Sequence, residues 1–300
     1  MKTTFNGYFK LIIDFIIVII TILKHKLKNI SYPIKIKFDN KKNKKCIILG
    51  NGPSLNDDID SILKVSNKDL DIYSVNYFAR SKFFKVLKPN YYFFSDKMFW
   101  RKDLLLNVKK DNELIFEILK SVDWKITIIC PNEGLHNLKN KLSVNKNLSF
   151  VVVPIRFSNL LTPKFTYLSI RYRFFSVPNV NSVITLLWTA VFMNYKKILL
   201  YGCDFSAFKS FMVDQKTNEM TVSTKHFYSN SSAEKNASKK YVGQRDKTLS
   251  ERIFQVYRGF RYLDVLSKIS KDLNVNVINC SSFSFIDSFP RIQDKDDSLN

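Results

Sequence analysis

The chain has 300 residues, 45% of them hydrophobic, four cysteines and a formal net charge of +22. That is enough for one large α/β domain, too apolar for a disordered chain, and far too poor in cysteine for a disulfide scaffold. With seven glycines and eight prolines, and no uncharged apolar run of 18 residues, collagen-like, low-complexity and polytopic membrane classes are excluded as well.

The charge is unevenly placed. Residues 1–45 hold eleven lysines against Asp14 and Asp39, which is +9 of the +22. Such an excess suits an anionic membrane surface, acidic substrates or nucleic acid, and its dispersed part also matches a Lys-, Asn-, Ile- and Phe-rich composition with no partner implied. No nucleic-acid-binding motif accompanies it, so no nucleic-acid partner is expected.

From Leu11 to Leu23 the chain reads LIIDFIIVIITIL. Thirteen helical residues reach only ~20 Å, short of the ~30 Å hydrocarbon core. No small-residue cleavage site follows, which argues against a cleaved signal peptide. The segment therefore reads as an interfacial helix with a basic flank, the competing readings being a helix that packs on the domain and a tilted signal anchor. Residues 1–45 form an anchor helix and tether, the tether being the solvated stretch 35–45, and 46–300 form one domain.

Strand-like runs then recur at Cys46–Leu49, Ile72–Val75, Tyr91–Phe94, Ile126–Ile129, Phe150–Val153, Ile198–Tyr201 and Val275–Ile278. Helical segments separate them. Ser182–Tyr195 is apolar on every face and should be buried, and Thr248-x-x-Glu251 is a capping box that opens a long helix. Continuous apolar strands between helices predict a doubly wound, mostly parallel, Rossmann-like α/β sheet. Region 206–247 has the composition of an irregular lid. None of the four cysteines forms a C-x-x-C pair, so they are expected to be small buried hydrophobes.

In such sheets ligands bind beyond the carboxyl ends of the strands. The first strand is followed by Gly50-Asn51-Gly52-Pro53-Ser54-Leu55, a turn in which backbone N–H groups and a helix N-terminus can face a phosphate. It lacks both the dinucleotide G-x-G-x-x-G and the P-loop Lys-Ser/Thr, and a purely structural turn is the alternative. Asn76 follows the second strand, Ser95 and Asp96 the third, and Gly202-Cys203-Asp204 the sixth. Each is a common turn residue, yet together they converge on one crevice. Of the three histidines, His25 flanks the N-terminal helix and His136 sits in a polar stretch. His226, two residues before Tyr228 in K-H-F-Y, is the candidate general base, although a lone loop histidine can equally be a surface residue.

GNGPSL, the strand ending in Asn76, Ser182 opening an apolar helix, N-Y-K-K-I-L-L-Y-G-C-D-F and a later loop histidine together resemble the bacterial sialyltransferases of glycosyltransferase family 42. The similarity is dense at GNGPSL and around 182–205. It implies a Rossmann-like GT-A variant with a lid, a CMP-activated sialic acid as co-substrate, and no cofactor or metal. It also implies nucleotide contacts from Asn51, Gly52, Ser54, Asn76 and Ser182, and His226 as the base that deprotonates the acceptor. No strand end here carries the metal-binding D-x-D of other glycosyltransferases. Gly50, Pro53, Asp96, Gly202, Asp204 and Tyr228 complete the expected nucleotide-sugar site. The family's Arg-x-Thr-Ser-Gly before the buried helix reads Asn179-Val180-Asn181-Ser182-Val183, and no tyrosine follows Asp204-Phe205 closely, which leaves Tyr228, Tyr241 or Arg245 to hold the donor phosphate. The expected acceptor is a cell-surface glycan or glycolipid, at the cytoplasmic face of a bacterial inner membrane, with a homo-oligomer possible. A pyrophosphokinase-like or flagellin-modifying accessory protein, which Asp96 suits at least as well, and a non-catalytic glycan assembly protein are the alternatives.

Overall fold

A computed structural model describes residues 2–26, 34–35, 41, 44–66, 70–157, 160, 162–223, 235–236 and 247–291. In chain order these form α1 (Lys2–Lys26), β1 (Lys45–Leu49), α2 (Leu55–Ser66), β2 (Leu70–Val75), α3 (Phe84–Leu87), β3 (Tyr91–Phe93), α4 (Leu106–Lys120), β4 (Ile126–Cys130), α5 (Asn132–Leu142) and β5 (Leu148–Val152). There follow α6 (Pro163–Arg171), α7 (Ser182–Phe192), β6 (Lys197–Tyr201), β7 (Phe211–Val213), β8 (Met220–Ser223), β9 (Lys235–Asn236), α8 (Leu249–Asp272) and β10 (Asn276–Asn279).

Seven strands make a parallel sheet in the order β10-β6-β1-β2-β3-β4-β5. All seven expected strands are present, with ends shifted by one or two residues. Successive side chains of a strand face opposite ways, so each strand feeds two cores. Cys46, Ile48, Tyr73 and Leu200 pack with α7 and α8, while Ile47, Leu49, Ile72 and Leu199 pack with α2, α4 and α5. That double burial is why the strands are continuous apolar runs rather than alternating ones. Every residue of α7 from Val183 to Val191 is buried, as its all-round apolarity requires, and Thr248 and Glu251 close the capping box at the start of α8.

Three sequence expectations need correction. Region 206–247 is not irregular throughout: β7, β8 and β9 pair there as a small antiparallel sheet, short strands whose mixed composition hides any alternation. Helix α1 is 25 residues long, because the polar residues before Leu11 and after Leu23 continue the helix that the apolar run nucleates. The stretch after it is more than a solvated tether. Within 35–45, Lys41 pairs with Asp71 at 3.1 Å and donates its N–H to the Met193 carbonyl at 3.0 Å, and just before that stretch Ile34 is fully buried with its N–H on the Arg173 carbonyl at 2.7 Å. No described helix is long and apolar enough to cross a membrane.

All four cysteines are free, and Cys46, Cys130 and Cys203 are buried while Cys280 is partly so. Burial pushes the thiols of Cys130 and Cys280 up to about 12 and raises those of Cys46 and Cys203 as well. Since the thiolate is the reactive form, the native protein at pH 8 is expected to yield under one equivalent of thiol to a disulfide reagent within minutes. Addition of denaturant should release all four; rapid native titration of two or more would contradict the packing.

Candidate functional site

The strand order reverses between β1 and β6: the chain runs outward through β2–β5 on one side and through β6 and β10 on the other. Crevices of doubly wound sheets open at such a switch point, and the turns after these two strands are the two glycine turns, GNG and GCD. They clasp each other. Gly50 N–H donates to the Tyr201 carbonyl at 2.8 Å and Gly52 N–H to the Gly202 carbonyl at 2.9 Å. A β-carbon on Gly50 would lie 2.2 Å from the Gly202 oxygen, and Gly202 itself has φ +61. The glycines are thus required by backbone contact between neighbouring turns, whatever binds above them.

Asp204 sits beneath this clasp. Its carboxylate accepts from Ser54 N at 3.2 Å and from the Ser54 hydroxyl. Desolvation raises its pKa, and the Ser54 hydrogen bonds oppose that rise. Ser54 immediately precedes α2, so the positive end of that helix is already occupied by a carboxylate, with Asp57 and Asp58 in its first turn. A phosphate at the α2 N-terminus, as the turn by itself suggested, would meet negative charge. Asp58 is likewise engaged, accepting from Ser282 N at 3.0 Å. The sequence does contain Asp58-Ile59-Asp60 and Asp69-Leu70-Asp71, but Asp58 is buried on α2 and Asp71 lies at the start of β2, away from the carboxyl ends.

Across the crevice the second and third strand ends meet α7. Asn76, with φ 48, donates from Nδ2 to Ser182 Oγ at 2.7 Å and accepts at Oδ1 from Ser95 N at 3.2 Å and Ser95 Oγ at 3.3 Å. The Ser95 and Ser182 hydroxyls bond each other, and Asn179 Nδ2 reaches the Ser95 carbonyl. Asn181, rather than Ser182, caps α7 by accepting from Val183 N at 2.8 Å. Ser182 is thereby placed at the first helical position with its hydroxyl directed at Asn76.

These groups border a cavity of about 600 Å³ lined by Gly50, Asn51, Gly52, Pro53, Asn76, Ser182, Gly202 and Asp204. Eight of the expected site residues are therefore brought together, and Ser54 lies just below them, 3% exposed. Sequence reading missed Lys209 and Phe283. Lys209 is the one cation among the described residues of this wall, its Nζ 5.6 Å from the ring centres of Phe283 and Phe285. No spacing links a lysine after β6 to a phenylalanine after β10; only the sheet order does. Phe205, also lining the cavity, has φ 53, an uncommon conformation for a bulky side chain, held by ring contact with Phe260 at 6.0 Å.

Asp96 is elsewhere. It accepts from Met98 N at 3.1 Å and lines a second cavity of about 550 Å³ that shares Asn76, Asn181 and Ser182 with the first. Trp100, Phe157, Lys247 and Arg258 lie on its wall, with the Arg258 guanidinium 5.8 Å from the ring centres of Phe157 and Phe254. Asn76, Asn181 and Ser182 form the wall between the two spaces, with Ser95 bonded to Asn76 and Ser182 on the second side. His226, Tyr228, Tyr241 and Arg245 fall outside the described residues. His136 lies exposed on α5, its ring 3.1 Å from Asn140 Nδ2. Among the described residues no three of His, Cys, Asp or Glu gather in a way that could hold a metal ion.

What the fold and crevice define is a doubly wound α/β protein with paired cavities at its switch point. No family model matches the chain, and no curated protein matches it in sequence. Among solved structures it is similar to the MAf glycosyltransferase from Magnetospirillum magneticum AMB-1, at 14% identity and a TM-score of 0.46. That superposition covers 87% of this chain but only 35% of the other.

Proposed function

We propose that the chain is a glycosyltransferase that binds a sugar nucleotide in the cavity between the β1 and β6 turns and an acceptor in the adjoining cavity. The observation that carries this reading is the shared wall: Asn76, Asn181 and Ser182 line both of two cavities of about 600 and 550 Å³ at the carboxyl ends of the strands, with Ser95 bonded to Asn76 and Ser182 behind it. Group transfer needs two substrates in adjoining spaces with their reacting atoms together, and this arrangement supplies both.

The resemblance at GNGPSL and 182–205 supports a CMP-activated sialic acid as the donor. The acceptor hydroxyl attacks the anomeric carbon, its proton passes to His226, and the bond to the CMP phosphate breaks. The acidic start of α2 suits the uncharged ribose and base, and Lys209 suits the leaving phosphate, where charge develops. Lys247 and Arg258 on the second wall suit an acidic glycan or glycolipid acceptor.

Melting of the protein with CMP, CMP-sialic acid, UDP- and GDP-sugars and ATP, each with and without EDTA, tests this. CMP at 100 times its dissociation constant should add about 2.7 kcal/mol, whether or not EDTA is present. A shift with magnesium ATP alone would replace the reading with a pyrophosphokinase-like one, and no shift with any nucleotide would leave a binding or assembly role.

A further inference from the structure

Helix α1 has two unlike faces. One contains Asp14, Ile17, Val18, Thr21 and Ile22, spaced as one helical face, and it docks on α6. Asp14 is fully buried. Its Oδ2 accepts from Thr162 N at 2.8 Å and Thr162 Oγ1 at 2.6 Å, and Thr162 is the N-cap of α6. The one acid within the apolar run is therefore a latch, its charge placed at the positive end of another helix. Thr21 settles its own hydroxyl on the Ile17 carbonyl at 2.7 Å.

The opposite face carries Tyr8, Phe9, Ile12, Phe15, Ile16, Ile19, Ile20 and Leu23, each between 40% and 68% exposed. At 100° per residue they fill an arc of about 140°, and between Tyr8 and Leu23 no charged residue falls inside it. The docked face carries the packing of α1 on the domain, the described fold leaves these eight largely exposed, and a patch of this kind marks an interaction surface.

We propose that this face seats α1 flat on an anionic lipid surface, with the latch to α6 fixing the orientation of the whole domain on it. Charge selects the occupant. Exposed Lys24 borders the stripe near its C-terminal end, exposed Lys10 lies farther round the helix near its start, and Lys2, Lys26 and Lys28 extend the basic flank in sequence. Basic residues beside an embedded apolar face pair with anionic headgroups. A second copy would bring like charges together on a chain of net charge +22, and the arc is wider than the narrow seam of a two-helix coiled coil. No described helix is long and apolar enough to cross a membrane; the one-sided stripe on α1 suits a helix lying in the interface. The proposal is independent of the chemistry at the crevice.

The full chain is mixed with vesicles of phosphatidylcholine, or of phosphatidylcholine with phosphatidylglycerol, and the bound fraction is read by sedimentation. Binding to the anionic vesicles is expected to be at least about tenfold tighter than to neutral ones, the contribution of two lysines near the surface. The variant Ile12→Ser/Phe15→Ser/Ile16→Ser/Ile19→Ser changes only outward side chains. It should keep the wild-type near-UV circular dichroism while its vesicle affinity falls more than about a hundredfold. Lys10→Glu/Lys24→Glu should remove the preference for anionic lipid without unfolding the protein. Wild-type protein that ignores both vesicle types would overturn the proposal, as would a folded serine variant that binds like wild type. A concentration-dependent wild-type dimer that the serine changes dissolve, with no vesicle binding, would assign the face to a second copy instead.

Discussion

Gly50→Ala is expected to destabilise the protein by about 3 kcal/mol, lowering its melting temperature by roughly 6–12 °C for a chain of this size. The added carbon would stand 2.2 Å from the Gly202 oxygen, 2.8 Å from the Gly202 carbonyl carbon and 3.2 Å from the Cys203 α-carbon. All three are backbone atoms of the neighbouring turn, so no rotamer change relieves the clash. Relief requires β1 and β6 to part, breaking the bonds from Gly50 and Gly52 to Tyr201 and Gly202. Gly52→Ala offers a control of different character. Its carbon would first meet the Asp204 side chain at 2.1 Å, so Asp204→Ala should recover part of its loss, whereas the same second change should not rescue Gly50→Ala. A Gly50→Ala protein that melts within about a degree of wild type would show that the clasp between the two turns is loose.

Asn76→Ala should lose about 4 kcal/mol and weaken CMP binding more than tenfold. Two causes add. The side chain joins Ser95 to Ser182 through three hydrogen bonds, each contributing about 1 kcal/mol in partly buried surroundings. The backbone at φ 48 is tolerated by asparagine and glycine but costs alanine about 1 kcal/mol. Asn76→Gly removes the same bonds without the second penalty, so it should be more stable than Asn76→Ala and bind CMP equally poorly. If both variants bind CMP like wild type while melting lower, Asn76 holds the shared wall together and does not contact the nucleotide.

Much of this site was legible along the chain because a parallel sheet aligns the carboxyl ends of its strands. Once the strands are located from their apolar runs, Gly50, Asn76, Ser95 and Gly202 must lie along one rim. What lies beneath the rim was not legible. GNGPSL suggests a phosphate seat at a helix N-terminus, but Asp204, 150 residues later, fills that position through Ser54. Asp96 follows its strand just as Asn76 does, yet it turns into the second cavity because its carboxylate caps the next short helical turn at Met98. Such choices depend on which neighbour a short polar side chain can reach, and that is set by distances between segments far apart in sequence.

The amino-acid sequence alone determined the class: seven apolar runs of strand length, separated by helical periodicity and a capping box, allow only a sheet buried on both faces. It also marked residues 11–23 as an uninterrupted apolar run but for Asp14. The tertiary structure decided where the order of strands reverses, and so which two turns meet, because pairing partners are chosen by packing between distant segments. It decided the role of Asp14 for the same reason. Within LIIDFIIVIITIL that residue reads as an interruption, and only the approach of Thr162 at the start of α6 makes it the bond that holds one face of α1 to the domain and leaves the other outside.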